Sequence, residues 1–237
     1  MKYILILLTI ANLYAKSLLF YCGITMSKAM SEIAKNFEKQ YNVSIEIIPG
    51  GSKSLLKTIK NSKKGDLYLP GSESYILKNK NLFIDYKYIG YNKLALIVKK
   101  GNPKNIHSIN DLTKSGIRTV LCNYKLSSCG KETKKVIKPE SLYWKVYDGA
   151  VEIVLDSSPL NDLVSTYADV GPNWQATIKN SIYNLEAIPI KKAKKHNLYL
   201  AVLKYSNNKD LALKFLNYAA NCDKILKKHG FRDETKK

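Results

Sequence analysis

Near its start the chain twice ends a short apolar strand on glycine and passes through a hydroxyl straight into an amphipathic helix. The first junction is Cys22-Gly23-Ile24-Thr25 and the second is Pro49-Gly50-Gly51-Ser52; Leu126-Ser127-Ser128-Cys129-Gly130 reads as a later copy. A strand, a helix and a second strand in immediate succession pair the strands in parallel, with helices covering the sheet. The first turn of each helix also leaves backbone N–H groups without intrahelical partners. Each junction is therefore a seat for an anion.

Periodicity fills in the rest. Met26, Ala29, Met30, Ile33, Ala34 and Phe37 recur at helical spacing, with Thr25 or Ser27 placed to cap them. Residues 43–48 alternate and are β-branched, Leu55, Leu56 and Ile59 form a second helix face, and 66–69 is a third strand closed by Pro70-Gly71-Ser72. Residues 86–99 read as one long strand. Beyond it come a helix start at Asn110-Asp111-Leu112, a strand at 119–122, a helix at 130–137 and a helix at 160–167. Residues 151–155 are either a strand or a buried helical turn. A short buried strand at Asp169-Val170-Gly171, a strand at 198–204 and a helix over 210–229 stopped by Gly230 complete the chain. The expected fold class is α/β, with two lobes of mostly parallel sheet, flanking helices and hinge strands. Residues 16–91 and 190–237 would form lobe 1, and 92–189 lobe 2. The strand near 94–98 would leave the first lobe, and Ile188-Pro189-Ile190 would return to it.

Residues 1–15 have the layout of a secretory signal: Lys2, an apolar run, and Leu13-Tyr14-Ala15 as a cleavage site. The alternative is a first buried strand. The signal reading places the mature protein in the periplasm, starting near Lys16. No other stretch is long and apolar enough to span a bilayer. The net charge of +20 comes from lysines spread along the whole chain, not from one basic tract. That pattern suits a solvated surface that attracts small anions better than a nucleic-acid groove, so nucleic acid is not an expected partner. A cationic envelope protein that binds polyanions is the alternative from another class.

Enzyme readings find little support. Cys129 as a nucleophile would need a positioned base, and His107, His196 and His229 stand isolated. Their scatter and the absence of a Cys-x-x-Cys pair give no metal site, and no Walker or Gly-x-Gly-x-x-Gly loop calls for a cofactor. Cys22, Cys122, Cys129 and Cys222 allow three full pairings; Cys122–Cys129 is a candidate local bridge.

The stretch Ala29-Met30-Ser31-Glu32-Ile33-Ala34-Lys35-Asn36-Phe37-Glu38-Lys39 resembles the first helix of periplasmic solute-binding proteins of ABC importers, with the type II fold. Gly50-Gly51-Ser52, Gly65-Asp66-Leu67-Tyr68-Leu69 leading to Ser72, and the tail from Ala219-Ala220 to His229-Gly230-Phe231 are similar too. Within that superfamily the likeness is greatest to the molybdate/tungstate-binding group. The resemblance implies a monomer of two hinged lobes that closes on a small inorganic oxyanion, delivers it to a membrane permease, and catalyses nothing. It implies hydroxyl donors at Thr25 and Ser52, and a donor loop at Ser127, Ser128, Cys129 and Gly130. It also implies a role for Trp174, which stands after Ala168-Asp169-Val170-Gly171 where the group has tyrosine. Thr25 replaces the group's serine.

Three further residues follow from chemistry. Neutral N–H and O–H donors suffice for an anion, because hydrogen bonds to a charged acceptor are about twice as strong as neutral ones. Asp156, in Asp156-Ser157-Ser158, either caps the next helix or supplies an acceptor. Fully ionised molybdate, tungstate and sulfate carry no proton for such an acceptor, whereas phosphate does. Asn173 either points an amide at the ligand or satisfies a turn after Pro172. Lys53 and Lys131 sit just inside two helix starts.

Overall fold

The computed structural model describes residues 16–233, so the segment read as a signal lies outside the described residues. Strands β1 (Ser17–Gly23), β2 (Ser44–Gly50) and β3 (Leu67–Leu69) are parallel, with β1 in the middle. Helix α1 (Ser27–Tyr41) connects the first two and α2 (Ser52–Ser62) the next two. Register is what makes the strand ends coincide. Gly23 pairs with Gly50, and Cys22 pairs with both Pro49 and Leu69, so all three strands release their chains at one level.

A 17-residue strand, β4 (Phe83–Lys99), links the two parts of the molecule. Its first part runs antiparallel to β9 (Lys195–Leu203), and β9 in turn pairs antiparallel with β3. Its second part, from Leu94 to Lys99, lies between β7 (Val170–Trp174) and β8 (Leu185–Pro189), antiparallel to both. The sheet is therefore mixed: the parallel strands carry the loops, and the long crossing strands supply the antiparallel pairs. The return path runs through β9, whereas Ile188 and Pro189 belong to β8, which stays beside the second part of β4.

The second parallel set repeats the device. Strands β5 (Val120–Cys122) and β6 (Glu152–Val154) are parallel, with Cys122 opposite Val154, and Thr119 bridges in parallel to Val170 of β7. Helices α4 (Ser128–Val136) and α6 (Leu160–Thr166) follow β5 and β6. Helix α5 (Glu140–Asp148), which the sequence reading passes over, carries Tyr143 and Val146 into the same core.

Three cores hold these parts. One surrounds Leu94–Val98, Cys122, Val164 and Trp174. Another packs α1, α7 (Lys209–Ala220) and α8 (Asp223–Lys228) on one face of the first sheet, with Phe37 set edge-on to Phe215 at 5.1 Å. A third packs Leu55, Leu56, Ile59 and Ile76 on the opposite face. The expected single C-terminal helix is two helices, broken at Asn221–Cys222. The tail then lies on β4, where Tyr91 N–H donates to Phe231 O and a Cβ on Gly90 would stand 2.3 Å from that carbonyl oxygen. The four cysteines are free, and Cys122 and Cys129 touch as thiols inside the core around Leu94–Val98 without a bridge. No helix among the described residues is long and apolar enough to cross a membrane.

Candidate functional site

Five parallel strand ends, three from one sheet and two from the other, face each other across a cavity of about 10 Å³, room for one water centre. Gly23, Thr25, Gly50, Gly51, Ser52 and Gly71 form one wall, and Ser127, Ser128, Asp156 and Ser157 the other. The glycines keep side chains out, so the wall is mostly backbone. First-turn N–H groups at the starts of α2 and α4 have no intrahelical acceptor and sit at this cavity with the positive ends of their helices behind them.

The hydroxyls are arranged by different means. Ser52 does not cap α2, because Gly51 occupies the N-cap position. The buried Ser52 Oγ instead accepts Gly71 N–H at 2.9 Å, and its carbonyl accepts the Tyr68 hydroxyl at 2.7 Å. Thr25 does not cap α1 either. It lies in a 3-10 turn (Ile24–Met26), and its Oγ1 is 3.2 Å from Ser157 Oγ across the cavity. Ser27 turns back and donates to Ile24 O, so neither expected cap of α1 forms. Only Ser127 behaves as a cap, accepting Gly130 N–H at 3.4 Å. Ser128 projects its hydroxyl toward Gly71, whose Cβ, if present, would lie 2.6 Å from it.

The structure thus brings Thr25, Ser52, Ser127, Ser128 and Asp156 together. Cys129 and Gly130 lie one layer back. The Cys129 thiol is buried against Pro172 O at 3.3 Å, and burial pushes its pKa well up, leaving an inert thiol. Gly130 packs against the carbonyls of Cys122 and Asn123, where a Cβ would come within 2.5 Å. Asp156 caps no helix. Its Oδ1 accepts Ser158 N–H at 2.8 Å, and Pro159 precedes α6 without a side-chain cap. Asn173 is fully buried and committed: its amide donates to Ser157 O and Asn161 Oδ1, and its Oδ1 accepts Trp174 N–H. It positions Ser157 from behind. Trp174 lines a separate small cavity with Ser72, Tyr75, Glu132 and His196, its ring edge-on to His196 at 5.9 Å.

Two features at this second cavity escape sequence reasoning, because their partners are distant in the chain. Glu132 on α4 approaches His196 of β9 at 2.8 Å, off the line of a good hydrogen bond, and Lys135 at 3.1 Å. Burial pushes the Glu132 carboxyl up, but the His196 and Lys135 side chains together outweigh it and hold it below the usual range. Lys131 is driven below the ordinary lysine range, first by burial and then by Lys135, Lys78 and Lys53. Ammonium groups from both walls thus crowd one edge of the cleft, and a bound anion would relieve their repulsion. Gly71 and Ser157 were also missed as cavity-lining residues, although Pro70-Gly71-Ser72 repeats the strand–glycine–hydroxyl signal of the first two junctions.

A family model described as bacterial extracellular solute-binding protein matches residues 18–232. The chain belongs to this family. A binding protein of Haemophilus influenzae is 27% identical over 135 residues, 56% of this chain and 55% of that one. The molybdate-binding protein ModA of Mycobacterium tuberculosis is 22% identical over 161 residues, 66% of this chain and 60% of that one. The matches thus span less than two thirds of these curated relatives. Among solved structures, the periplasmic molybdate-binding protein of Azotobacter vinelandii superposes with a TM-score of 0.75 at 18% identity, covering 90% of this solute-binding protein and 98% of the other. The sulfate-binding protein SubI of Mycobacterium tuberculosis gives 0.77 at 18% identity, covering 92% and 86%. At such identities the likeness is one of fold.

Proposed function

We propose that this solute-binding protein captures a tetrahedral oxyanion between two lobes and hands it to the permease of an ABC importer. Residues 16–91 with 190–233 would act as one lobe, 92–189 as the other, and β4 with β9 as the hinge. One observation carries the reading: unpaired helix-start N–H groups and the hydroxyls of Thr25, Ser52 and Ser128 converge from two sheets on one cavity. The cavity holds one water centre, less than four oxygens need, so the lobes part to admit the ligand and close around it. Donors from opposite walls then meet one acceptor group, and the net charge of +20 speeds its arrival.

Molybdate or tungstate is the first assignment, supported by the ModA relatives and the Azotobacter structure. The signal-like start supports a periplasmic location, where the protein would act as a monomer. A second reading rests on Asp156. A carboxylate on the cavity wall disfavours a proton-free dianion and suits an oxyanion that carries a donor, such as hydrogen phosphate. A thermal-shift panel of molybdate, tungstate, sulfate and phosphate tests both. At a hundredfold excess over Kd a ligand adds about 2.7 kcal/mol to stability, a clear rise in Tm. No rise with any tetrahedral oxyanion refutes the proposal, and competition between molybdate and phosphate across pH separates the two readings.

A further inference from the structure

Beside the anion cavity lies a larger chamber of about 310 Å³, open to solvent, which shares Ile24, Thr25 and Ser157 with it. The Thr25–Ser157 hydroxyl contact at 3.2 Å lies where the two adjoin. A free tetrahedral ion would fill the inner seat and leave this chamber unused. Its volume is within the range of small-ligand sites and corresponds to about ten water-sized groups.

The chamber wall is mixed in character: Ile24, Ile182 and Tyr183 give it apolar surface, and Lys28 adds an ammonium. Asp162 supplies a carboxylate and Thr177 a hydroxyl. The Asn180 side-chain amide nitrogen is buried and has no hydrogen-bond partner, while its Oδ1 is occupied by His229. A buried donor without a partner is unfavourable, so an acceptor from outside the chain has a place there. Asp156 at the seat and Asp162 in the chamber are acceptors that a proton-free dianion cannot use, whereas hydroxyl groups can donate to both.

We infer that the natural ligand is a substituted oxyanion: a phosphoryl-type head in the inner seat, carrying a small hydroxylated organic group that passes between Thr25 and Ser157 into the chamber. This rests on the reading of the inner seat as an oxyanion site. The substituent replaces the Thr25–Ser157 contact with its bridging oxygen, offers hydroxyls to Asp156 and Asp162, and presents an acceptor to the Asn180 amide.

Calorimetry on the mature protein tests the inference with glycerol 3-phosphate and ribose 5-phosphate against inorganic phosphate, sulfate, molybdate and free glycerol. At least one ester is expected to bind about tenfold or more tighter than every inorganic ion, with no binding of glycerol. Ser181→Trp places bulk on the chamber wall away from the seat and should erase the ester's advantage while leaving inorganic phosphate unchanged. Inorganic ions binding as tightly as both esters overturns the inference but leaves the oxyanion seat standing. An ester advantage that survives Ser181→Trp also overturns it. If neither esters nor inorganic ions bind, both readings fall together.

Discussion

Ser52→Ala separates a hydroxyl that holds a loop from one that also holds a ligand. In the wild type, Ser52 Oγ accepts the buried Gly71 N–H at 2.9 Å, which occupies a lone pair and leaves the hydroxyl proton to be donated elsewhere. Alanine removes both functions. Losing the acceptor orphans Gly71 N–H, a cost of about 1–3 kcal/mol; the adjacent cavity holds one water centre, so solvent can partner the amide and the lower end applies. Losing the donor removes one charge-assisted hydrogen bond to the anion, worth about 1.5–3 kcal/mol. At about 1.4 kcal/mol per decade, affinity falls roughly 10- to 100-fold. Urea denaturation without ligand reads the first number, and calorimetry with the tightest oxyanion reads the second. A variant that loses about 1 kcal/mol of stability but binds within about threefold of wild type would refute the ligand role and leave Ser52 as a strap for Gly71.

Other perturbations probe the same architecture. Gly71→Ala puts a Cβ 2.6 Å from Ser128 Oγ. It should weaken binding at least about tenfold by turning that hydroxyl away or holding the walls apart, with little change in unfolding free energy; adding Ser128→Ala should relieve the crowding without restoring affinity, and unchanged binding in the single variant would count against the convergence of donors. Glu132→Gln removes the anion facing His196 and Lys135. Because Lys135 is largely exposed, the expected loss is about 1–2 kcal/mol, below that for a fully buried pair, and no loss in urea melts would show the contact to be incidental. Lys114, helped by the N–H groups of His107 and Ser108, holds Asp111 far below the usual carboxylate range. At Asp169, burial raises the carboxyl but Arg118 outweighs it and lowers it. Both groups bind protons more readily unfolded, so their contribution is complete above about pH 4 and is lost as pH falls below it. The urea midpoint should drop between pH 5 and pH 3, and Asp111→Asn should flatten that drop; a midpoint that rises on acidification would contradict the assignment. Cys129→Ser should leave anion capture largely intact, since the thiol points into the core, and abolition of all function would favour a cysteine enzyme.

Much of the fold was legible because it is written locally. Strand–glycine–helix junctions mark β1 and β2, and the run Leu94–Val98 is apolar because it is covered on both faces. What was not legible depends on pairing across the chain. Helix α5 has three aromatic residues in nine, and its signal is Leu142, Tyr143 and Val146 at helical spacing after Pro139. The break between α7 and α8 is set by the tail, where Arg232 ties Asp223 and Ala220 to Ile89 of β4. The position of Trp174 after Ala168-Asp169-Val170-Gly171 groups it with the ligand residues, yet packing turns the indole into the neighbouring cavity beside His196, a residue 22 positions later in the sequence.

The serines at helix starts show why local reading stops short of a site. Ser52, Thr25 and Ser127 look alike in sequence, and each is an N-cap by its surroundings. They diverge over one position. At Ser127 the N-cap forms and the hydroxyl is spent on Gly130. At Gly50-Gly51-Ser52 the second glycine takes the cap position, so serine becomes the first helical residue and its hydroxyl points away from its own helix. At Gly23-Ile24-Thr25 a 3-10 turn does the same for threonine. The hydroxyls that fail to cap are those free to reach across the cleft. A glycine directly before the hydroxyl is therefore the sequence signal that distinguishes Ser52 as a ligand donor, and Gly51→Asn should expose it. Asparagine at the cap would bind the α2 first-turn N–H groups that the anion needs, raising stability by about a few tenths of a kcal/mol while lowering affinity. A variant in which stability and affinity rose together would show that those N–H groups do not serve the ligand.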